Sequence, residues 1–455
     1  MSLPDGFHAR LRHDLICLEG GRFLLGGSPL CGLRLPRSMP ALLAGDSIVV
    51  VDETSRALAA RLLASDLATP ASAHKLVEAS RLTVIIPVKD RPAALDRALT
   101  ALGDELSVIV VDDGSRHPKL IEQVVTAHQG GYIRLPANRG PAAARNAGLA
   151  QVASEFVAFV DSDVEVSGRS LQRLASYFDD PRVAAVAPRV RGRATSTRPR
   201  WFERYDAVAS SLDQGSREGL VRPGAAVSYV PSACVLVRRR FLDGGFDESM
   251  RVGEDVDLVW RLVSRGHHVR YAPWVIAHHD ARTTVGGWLR RKVAYGTSAA
   301  ALASRHGSAV APARLTPTIA FAAALLLLRN PRARALAVIT LIPTRRRLHK
   351  RLPPGAQATK LTAQSAYAGV RQESALLLRH WWPLTALLLP KSRTVRHIAL
   401  LAFAVDTAAV VLEHPGIDVT GATVGKRLDD IGYGTGLWLG CIKARTFRAL
   451  VPHLA

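Results

Sequence analysis

The chain is poor in several features that would have pointed directly to a chemistry. Only four cysteines stand in 455 residues. Cys17, Cys31, Cys234 and Cys441 are scattered and form no C-x-x-C pair, which favours buried or free thiols in a reducing cytoplasm over metal ligands or disulfides. No G-x-x-x-x-G-K-[ST] occurs, and the dinucleotide glycine fingerprint does not follow the first strand of the central region. A P-loop NTPase and a Rossmann dehydrogenase are therefore disfavoured. RNP signatures, zinc-finger spacings and bZIP basic regions are absent, so nucleic acid is not expected as a partner. Each uninterrupted apolar run falls short of the roughly 18 to 20 residues of a spanning helix. The amino terminus has no basic segment followed by a long apolar one, so no secretory signal is read and the catalytic part is expected in the cytoplasm. Acidic residues are scarce, 38 against 60 Lys and Arg, for a net charge of +22. That excess calls for a polyanionic partner, and a phosphorylated substrate or an anionic membrane face both answer it.

What is present divides the chain into three. Residues 1–80 alternate short β-like runs with Gly/Pro turns and close on a helical stretch with Leu58, Leu62 and Leu63 on one face. A small α+β module is expected there, joined onward by a linker of small residues over 67–80. From 81 to 307 the pattern is βα repetition. "LTVIIPV" reads as a strand, "RPAALDRALTAL" as a helix with Pro92 in its first turn, "SVIVVDDGS" as a strand and "PAAARNAGLAQVA" as a helix opened by Pro141. The class is α/β, with a doubly wound, mostly parallel sheet. Residues 308–455 change to Ala/Leu-rich runs broken by basic clusters. Arg345, Arg346, Arg347, Lys350 and Arg351 suit anionic headgroups, and Trp381 and Trp382 an interface. This helical, basic region is expected at a membrane surface, against the alternative of a soluble helical domain.

The chemistry sits in acidic clusters at strand ends. Asp112 and Asp113 close "VIVVDDGS"; Asp161 and Asp163 close "FVAFVDSDVE", where extended alternation would leave both carboxylates on one side and Ser162 on the other. Asp followed by Gly or Ser also turns a chain, and "VDDGS" alone reads equally well that way. Two such pairs on one rim need balancing charge, and a hard divalent ion, Mg²⁺ or Mn²⁺, supplies it while taking further ligands from substrate phosphates. Asn138 and Arg139 lead into the helix at Pro141, whose amino end favours anions, with Arg145 one turn inside. In "GEDVDLVWRL" a carboxylate at a helix start is either a cap or a base on a rigid support. Asp255 is a better base candidate than Glu254.

Together, "TVIIPVKDRP", "VIVVDDGS", "NRGPAAARNAG", "FVAFVDSDVEV", "GGFDE" and "GEDVDLVWRLVSRGHHVRYAP" resemble the family 2 glycosyltransferases of GT-A fold over roughly 82–300. The resemblance implies a GT-A (Rossmann-like) nucleotide-diphospho-sugar transferase domain between a small N-terminal module and a C-terminal helical tail, and an inverting transfer from a UDP-sugar. It implies that Asp163 holds Mn²⁺ or Mg²⁺ and that Asp161 faces ribose and metal. Asp112 or Asp113 would contact uracil, and Asp255 would activate the acceptor hydroxyl. Pro87, Asn138, Arg139, Arg145 and Arg291 are expected around the donor, and His279 at the metal. The "LPDGF" start, the "LLGGSP" turn and the "RHGSAVAP" segment are similar to the mycofactocin-system branch of that family. This implies premycofactocin, a peptide-derived redox cofactor, as acceptor and UDP-glucose as donor, with a short β-linked oligosaccharide built at the cytoplasmic face of the cell membrane. The N-terminal module faintly resembles winged-helix peptide-recognition elements. A Q-x-x-R-W signature of processive synthases is absent. The rival readings are a membrane transferase acting on a lipid, polyprenyl phosphate or cell-wall glycan, and a non-enzymatic basic scaffold.

Overall fold

The computed structural model describes residues 1–454 except 38, 40–42, 44, 72–74, 195, 283 and 415. They form two compact units, Met1–Arg193 with Ser210–Ala281, and Ala194–Ala209 with Arg282–Ala455. The chain thus passes between units at three places.

In the first unit, β1 (His8–Leu11) lies antiparallel between β5 (Ser47–Val49) and β6 (Ala68–Pro70), while β2 (Ile16–Leu18), β3 (Phe23–Gly26) and β4 (Cys31–Arg34) make a separate meander. The helix α1 (Glu53–Ala64) starts on Asp52, whose carboxylate accepts the Ser55 N–H at 2.7 Å while the Ser55 hydroxyl caps back. Leu58, Leu62 and Leu63 face inward as their spacing predicts, against Leu24, Leu33 and Ile48. Of the linker expected over 67–80, residues 72–74 lie outside the described residues. A buried carboxylate joins these elements to the rest of the unit: Asp66 lies 3.4 Å from Arg12 and 3.7 Å from the wholly buried Arg270, and accepts the Leu220 N–H at 2.8 Å.

The rest of the unit is built on one nine-stranded sheet. Its strands are β7 (Leu82–Val88), β8 (Ser107–Asp112), β9 (Gly131–Arg134), β10 (Phe156–Val160), β11 (Val164–Glu165), β12 (Val183–Arg193), β13 (Gly219–Val221), β14 (Cys234–Arg238) and β15 (His268–Asp280), in the order β11-β15-β12-β14-β10-β7-β8-β9 with β13 beside β15. The helices of this unit are α2 (Pro92–Leu102), α3 (Pro118–Ala127), α4 (Pro141–Leu149), α5 (Gly168–Ala175) and α7 (Glu254–Ser264); α6 (Trp201–Val208) belongs to the second unit. The strands β10, β7, β8 and β9 run parallel, as βα repetition demands. The other half is mixed, not mostly parallel, because β14 runs antiparallel to both β10 and β12. The stretch from β12 to β14 leaves the unit through α6, so no crossover helix forces it parallel. Every residue of β10 is buried, and Phe156, Ala158 and Val160 share a core with Leu95, Leu99 and Leu102 of α2.

The second unit is helical: α6, α8 (Val285–His306), α9 (Pro317–Leu327), α10 (Pro331–Arg351), α11 (Ala358–Ala375), α12 (Trp382–Leu388), α13 (Arg393–Glu413) and α14 (Val419–Lys443). Pro331 and Pro383 stand in the first turns of α10 and α12, where proline starts a helix instead of breaking it. The helix α13 is 21 residues long and contains an 18-residue stretch, Asp406 included, of mean hydropathy 1.8, long and apolar enough to cross a membrane by length and composition. Its uninterrupted apolar runs are still short, and the length is reached only by counting charged positions in. Asp406 is buried against Lys426, at 3.2 Å, and Arg427, so its charge is met within the unit. Lys292 of α8 is buried too, 3.1 Å from Asp429 and 3.7 Å from Asp206.

The helices α8 and α14 approach backbone to backbone. A Cβ at Gly436 would overlap the Val293 carbonyl, and one at Gly296 the Tyr433 carbonyl. Gly436→Val should therefore destabilise the second unit by about 1–3 kcal/mol, the usual cost of overpacking. Thermal unfolding of the purified chain checks this, with an unchanged transition as the contrary result.

Candidate active site

The parallel strands deliver their carboxyl ends to one rim, where β7, β8 and β10 finish at Val88, Asp112 and Val160. Pro87, half-buried in β7, stands in register with Val111. Asp112 is wholly buried; its two oxygens accept from the Ser115 N–H at 2.8 Å and the Tyr132 hydroxyl at 3.0 Å. Burial, and then this carboxylate, push the Tyr132 phenol up to about 12. Asp113 accepts from the backbone N–H groups of Arg139 at 2.7 Å and Gly140 at 2.8 Å, and so holds the loop that opens α4. The glycine between Asp113 and Ser115 is required twice over. Gly114 has φ +70°, and a Cβ there would lie 2.7 Å from the Asn138 nitrogen. Asn138 and Arg139 are exposed, and Arg139 reaches Glu248 at 2.7 Å.

The segment Asp161-Ser162-Asp163 does not keep the extended alternation expected of it. It turns, the Val164 N–H closing onto the Asp161 carbonyl at 3.0 Å, and the Ser162 side is buried. The backbone N–H of Asp161 bonds the Ala233 carbonyl at 2.9 Å, and that of Asp280 the Asp163 carbonyl at 3.2 Å. Each aspartate consequently meets its own arginine.

Asp161 meets Arg145. This side chain of α4 is buried, donates to Asp161 at 2.7 Å and to Glu254 at 2.9 Å, and lies 5.3 Å from the Phe246 ring centroid. Burial works against its charge, but Asp161 and Glu254 more than compensate and hold its pKa above the ordinary value. Glu254 and Asp255 open α7 after Gly253, a left-handed residue at φ +86°. Burial first, then the Asp255 carboxylate, push Glu254 up to about 7. Asp255 keeps some solvent access, and its oxygens accept from the Ser232 N–H at 3.2 Å and the Val256 N–H at 2.8 Å. Burial pushes it up too, against the pull of these bonds and of Arg145.

Asp163 meets Arg91, whose guanidinium pairs with Oδ2. The same oxygen lies 3.6 Å from His279 Nε2. On β15 the imidazole of His279 is buried and that of its neighbour His278 exposed. Around this face Glu165 and Asp280 are held by Arg193 at 2.5 and 3.1 Å, and by Arg97, which lies 3.2 Å from Glu165. Among the described residues no three His, Cys, Asp or Glu side chains make a closed ligand set. A Mg²⁺ or Mn²⁺ site that completes its shell with substrate phosphate oxygens needs only one or two carboxylates. A carboxylate oxygen beside an imidazole fits such an ion.

Arg91, Phe246 and Asn146 do not stand among the sequence-derived candidates. Asn146 accepts the Phe246 N–H at 2.9 Å and returns its amide to the Phe246 carbonyl at 2.8 Å, locking the "GGFDE" loop onto α4. The only signal for Arg91 is a basic residue immediately before Pro92. Arg291 lies on α8 in the second unit, where its guanidinium bonds the Tyr295 hydroxyl at 2.7 Å and stacks on that ring.

The chain is similar to several known proteins. The family model "Glycosyl transferase family 2" matches residues 83–246. The chain is 38% identical over 471 residues, covering 99% of itself and 98% of the other chain, to the pre-mycofactocin glycosyltransferase of two Mycobacterium tuberculosis strains. It is 27% identical over 259 residues, 52% of this chain and 60% of the other, to an N-acetylglucosaminyltransferase of Rhizobium meliloti. Among solved structures, a mannosyltransferase from Pyrobaculum calidifontis in complex with GDP-mannose and Mn²⁺ matches at TM-score 0.39 and 20% identity, covering 73% of this chain and 86% of that one.

Arg145→Ala would leave Asp161 and Glu254 buried without a counter-ion and should cost about 3–5 kcal/mol in a urea unfolding series. A loss under about 1 kcal/mol would remove Arg145 from this role. Glu254 also makes stability depend on pH. Its pKa in the fold, about 7, exceeds the ordinary 4.5, so the fold favours its protonated form. That contribution is present below pH 4.5 and is lost as pH rises through 7. The native chain should therefore lose stability relative to Glu254→Gln over this window, which paired unfolding curves at the two ends will read.

Proposed function

The chain belongs to the family 2 glycosyltransferases of the mycofactocin system, and on that premise we propose that it moves glucose from UDP-glucose to premycofactocin with inversion, building a short β-linked oligosaccharide. The observation that carries the reading is the buried Arg145 guanidinium, 2.7 Å from Asp161 and 2.9 Å from Glu254, which ties the aspartate turn to the helix start bearing Asp255. A donor-diphosphate face and a base for the acceptor must stand on opposite sides of one anomeric carbon, and a rigid bridge between their supports meets that need.

In this reading Asp255 takes the proton of the acceptor hydroxyl. The acceptor oxygen then bonds the anomeric carbon as the bond from that carbon to the diphosphate breaks, in one in-line step. Burial raises the affinity of Asp255 for a proton, which suits a base working near neutral pH. Glu254, held by Arg145, sets the field around that base. Asp113, at the rim and slightly exposed, is the better contact for uracil; the wholly buried Asp112 supports it through Ser115 and Tyr132. Pro87, Asn138 and Arg139, with the amino end of α4, would line the donor. Asp161, Asp163 and His279 would hold Mn²⁺ or Mg²⁺, which when bound neutralises charge on the departing diphosphate.

An anionic membrane surface is proposed as a further partner, with the catalytic part on the cytoplasmic side. This rests on the length and hydropathy of α13, on the exposed Leu387 and Leu400 near Lys391, Arg393 and Arg396, and on the exposed Leu412 toward the other end of α13. The same observation favours a lipid-linked acceptor as the second reading.

Purified chain with UDP-glucose, Mn²⁺ and premycofactocin should yield hexose adducts by mass spectrometry and stoichiometric UDP. Asp255→Asn should still bind UDP yet transfer about 10²- to 10⁴-fold more slowly, as for a lost general base. Near-normal turnover would move the base elsewhere, and transfer to polyprenyl phosphate alone would favour the second reading.

A further inference from the structure

The two aspartates of the Asp161-Ser162-Asp163 turn are neutralised in different ways. Arg145, with 3% of its side chain exposed, is shared between Asp161 and Glu254 and cannot leave without stranding both. Arg91, with 39% exposed, pairs with Oδ2 of Asp163, the oxygen that also faces His279 Nε2 at 3.6 Å. One guanidinium is built in, and the other can be released to solvent. The backbone beneath Arg91 is fixed. Asp90 sits at φ +55°, its N–H bonded to Ser115 Oγ at 2.9 Å and its carboxylate to the Arg116 N–H at 2.7 Å. Movement of Arg91 is therefore a matter of its side chain alone, pivoting at the amino-terminal end of α2.

A guanidinium and a divalent cation cannot occupy the same side of one carboxylate oxygen, since like charges at contact distance repel strongly where water is scarce. We propose that Arg91 is an exchangeable counter-ion of Asp163: it competes with the divalent cation for Oδ2, and once displaced turns its charge to the phosphates of the nucleotide donor. This rests on the reading of Asp163 and His279 as the metal face. Exchange keeps Asp163 neutralised at every stage and makes cation and nucleotide binding mutually favourable. The cation frees a phosphate-binding guanidinium, and the phosphates hold that guanidinium away from the cation's oxygen. Arginine suits both positions, because its planar fork pairs with carboxylate and with phosphate alike.

The test is Mn²⁺ binding to the full chain without nucleotide, by calorimetry and by the loss of free-ion paramagnetic signal, followed by UDP binding at saturating Mn²⁺. Arg91→Met should bind Mn²⁺ about tenfold more tightly than the native chain, equivalent to about 1.4 kcal/mol, although a purely structural arginine would weaken it. The same variant should bind UDP about tenfold more weakly, and Arg91→Lys, which keeps the charge without the planar fork, should fall between that variant and the native chain in both. Arg91→Gln carries the same expectation should the methionine variant not fold. Asp163→Asn separates the two levels. If it loses Mn²⁺ while Arg91→Met binds Mn²⁺ no more tightly, or UDP no more weakly, than the native chain, the exchange is wrong and the metal face stands. If Asp163→Asn keeps native Mn²⁺ affinity, the metal face is wrong and the exchange falls with it.

Discussion

A single buried guanidinium sets the geometry of the site. Arg145 must be charged, must be dry, and must face two carboxylates from distant parts of the chain, Asp161 after β10 and Glu254 at the start of α7. Removing such an ion from water is costly unless partners meet its donors, so the fold can close only with both carboxylates in place. The helix that carries Arg145 carries Asn146 next to it, and Asn146 fixes the loop that puts Phe246 beneath the guanidinium. The short helix α4 thereby sets the aspartate turn, the base-bearing helix and the loop between β14 and α7 in one register. Asp113 holds the front of that helix from the other side, through the N–H groups of Arg139 and Gly140. Glu254, raised to about 7, shows what the enclosure does to the carboxyl groups within it.

The same solution to buried charge recurs away from the site. Asp66 sits between Arg12 and Arg270, and so fastens the N-terminal strands to the unit that carries the sheet. In the second unit Asp406, Asp429 and Asp430 interleave with Lys292, Arg379, Lys426 and Arg427. Each cluster joins segments far apart in sequence. Buried pairs of this kind add little net stability over apolar packing, but they penalise any arrangement that leaves one partner alone.

What was legible in the sequence follows from range. Apolar periodicity placed β7, β8, β10, α2 and α4, because burial of a face repeats every two or every few residues and needs no knowledge of the partner. Leu95, Leu99 and Leu102 face the core as their spacing requires. The acidic clusters at strand ends were legible because parallel strands all end at one rim. The turn at Ser162 was not, since its cause is a hydrogen bond from Asp161 to Ala233, a residue about seventy positions onward. Arg91, Phe246 and the burial of Lys292 were hidden for the same reason: pairing across the fold leaves no local pattern. The antiparallel β14 was missed because its direction depends on where the intervening chain goes, and that chain goes to the other unit.

That excursion has a consequence for how the protein is made. The helix α6 lies in the middle of the first unit's sequence, yet its Phe202 and Tyr205 are buried with Trp288, Val410 and Ala422, and Gly425 gives way to the Tyr205 ring. On the ribosome the sheet's last strand emerges well before the residues that α6 needs. The helix α6 must therefore wait, its aromatic face uncovered, until some 150 further residues have been synthesised. The second unit cannot be inherited, truncated or fused as one contiguous segment, because it holds α6, a piece of chain that stands within the first unit's sequence.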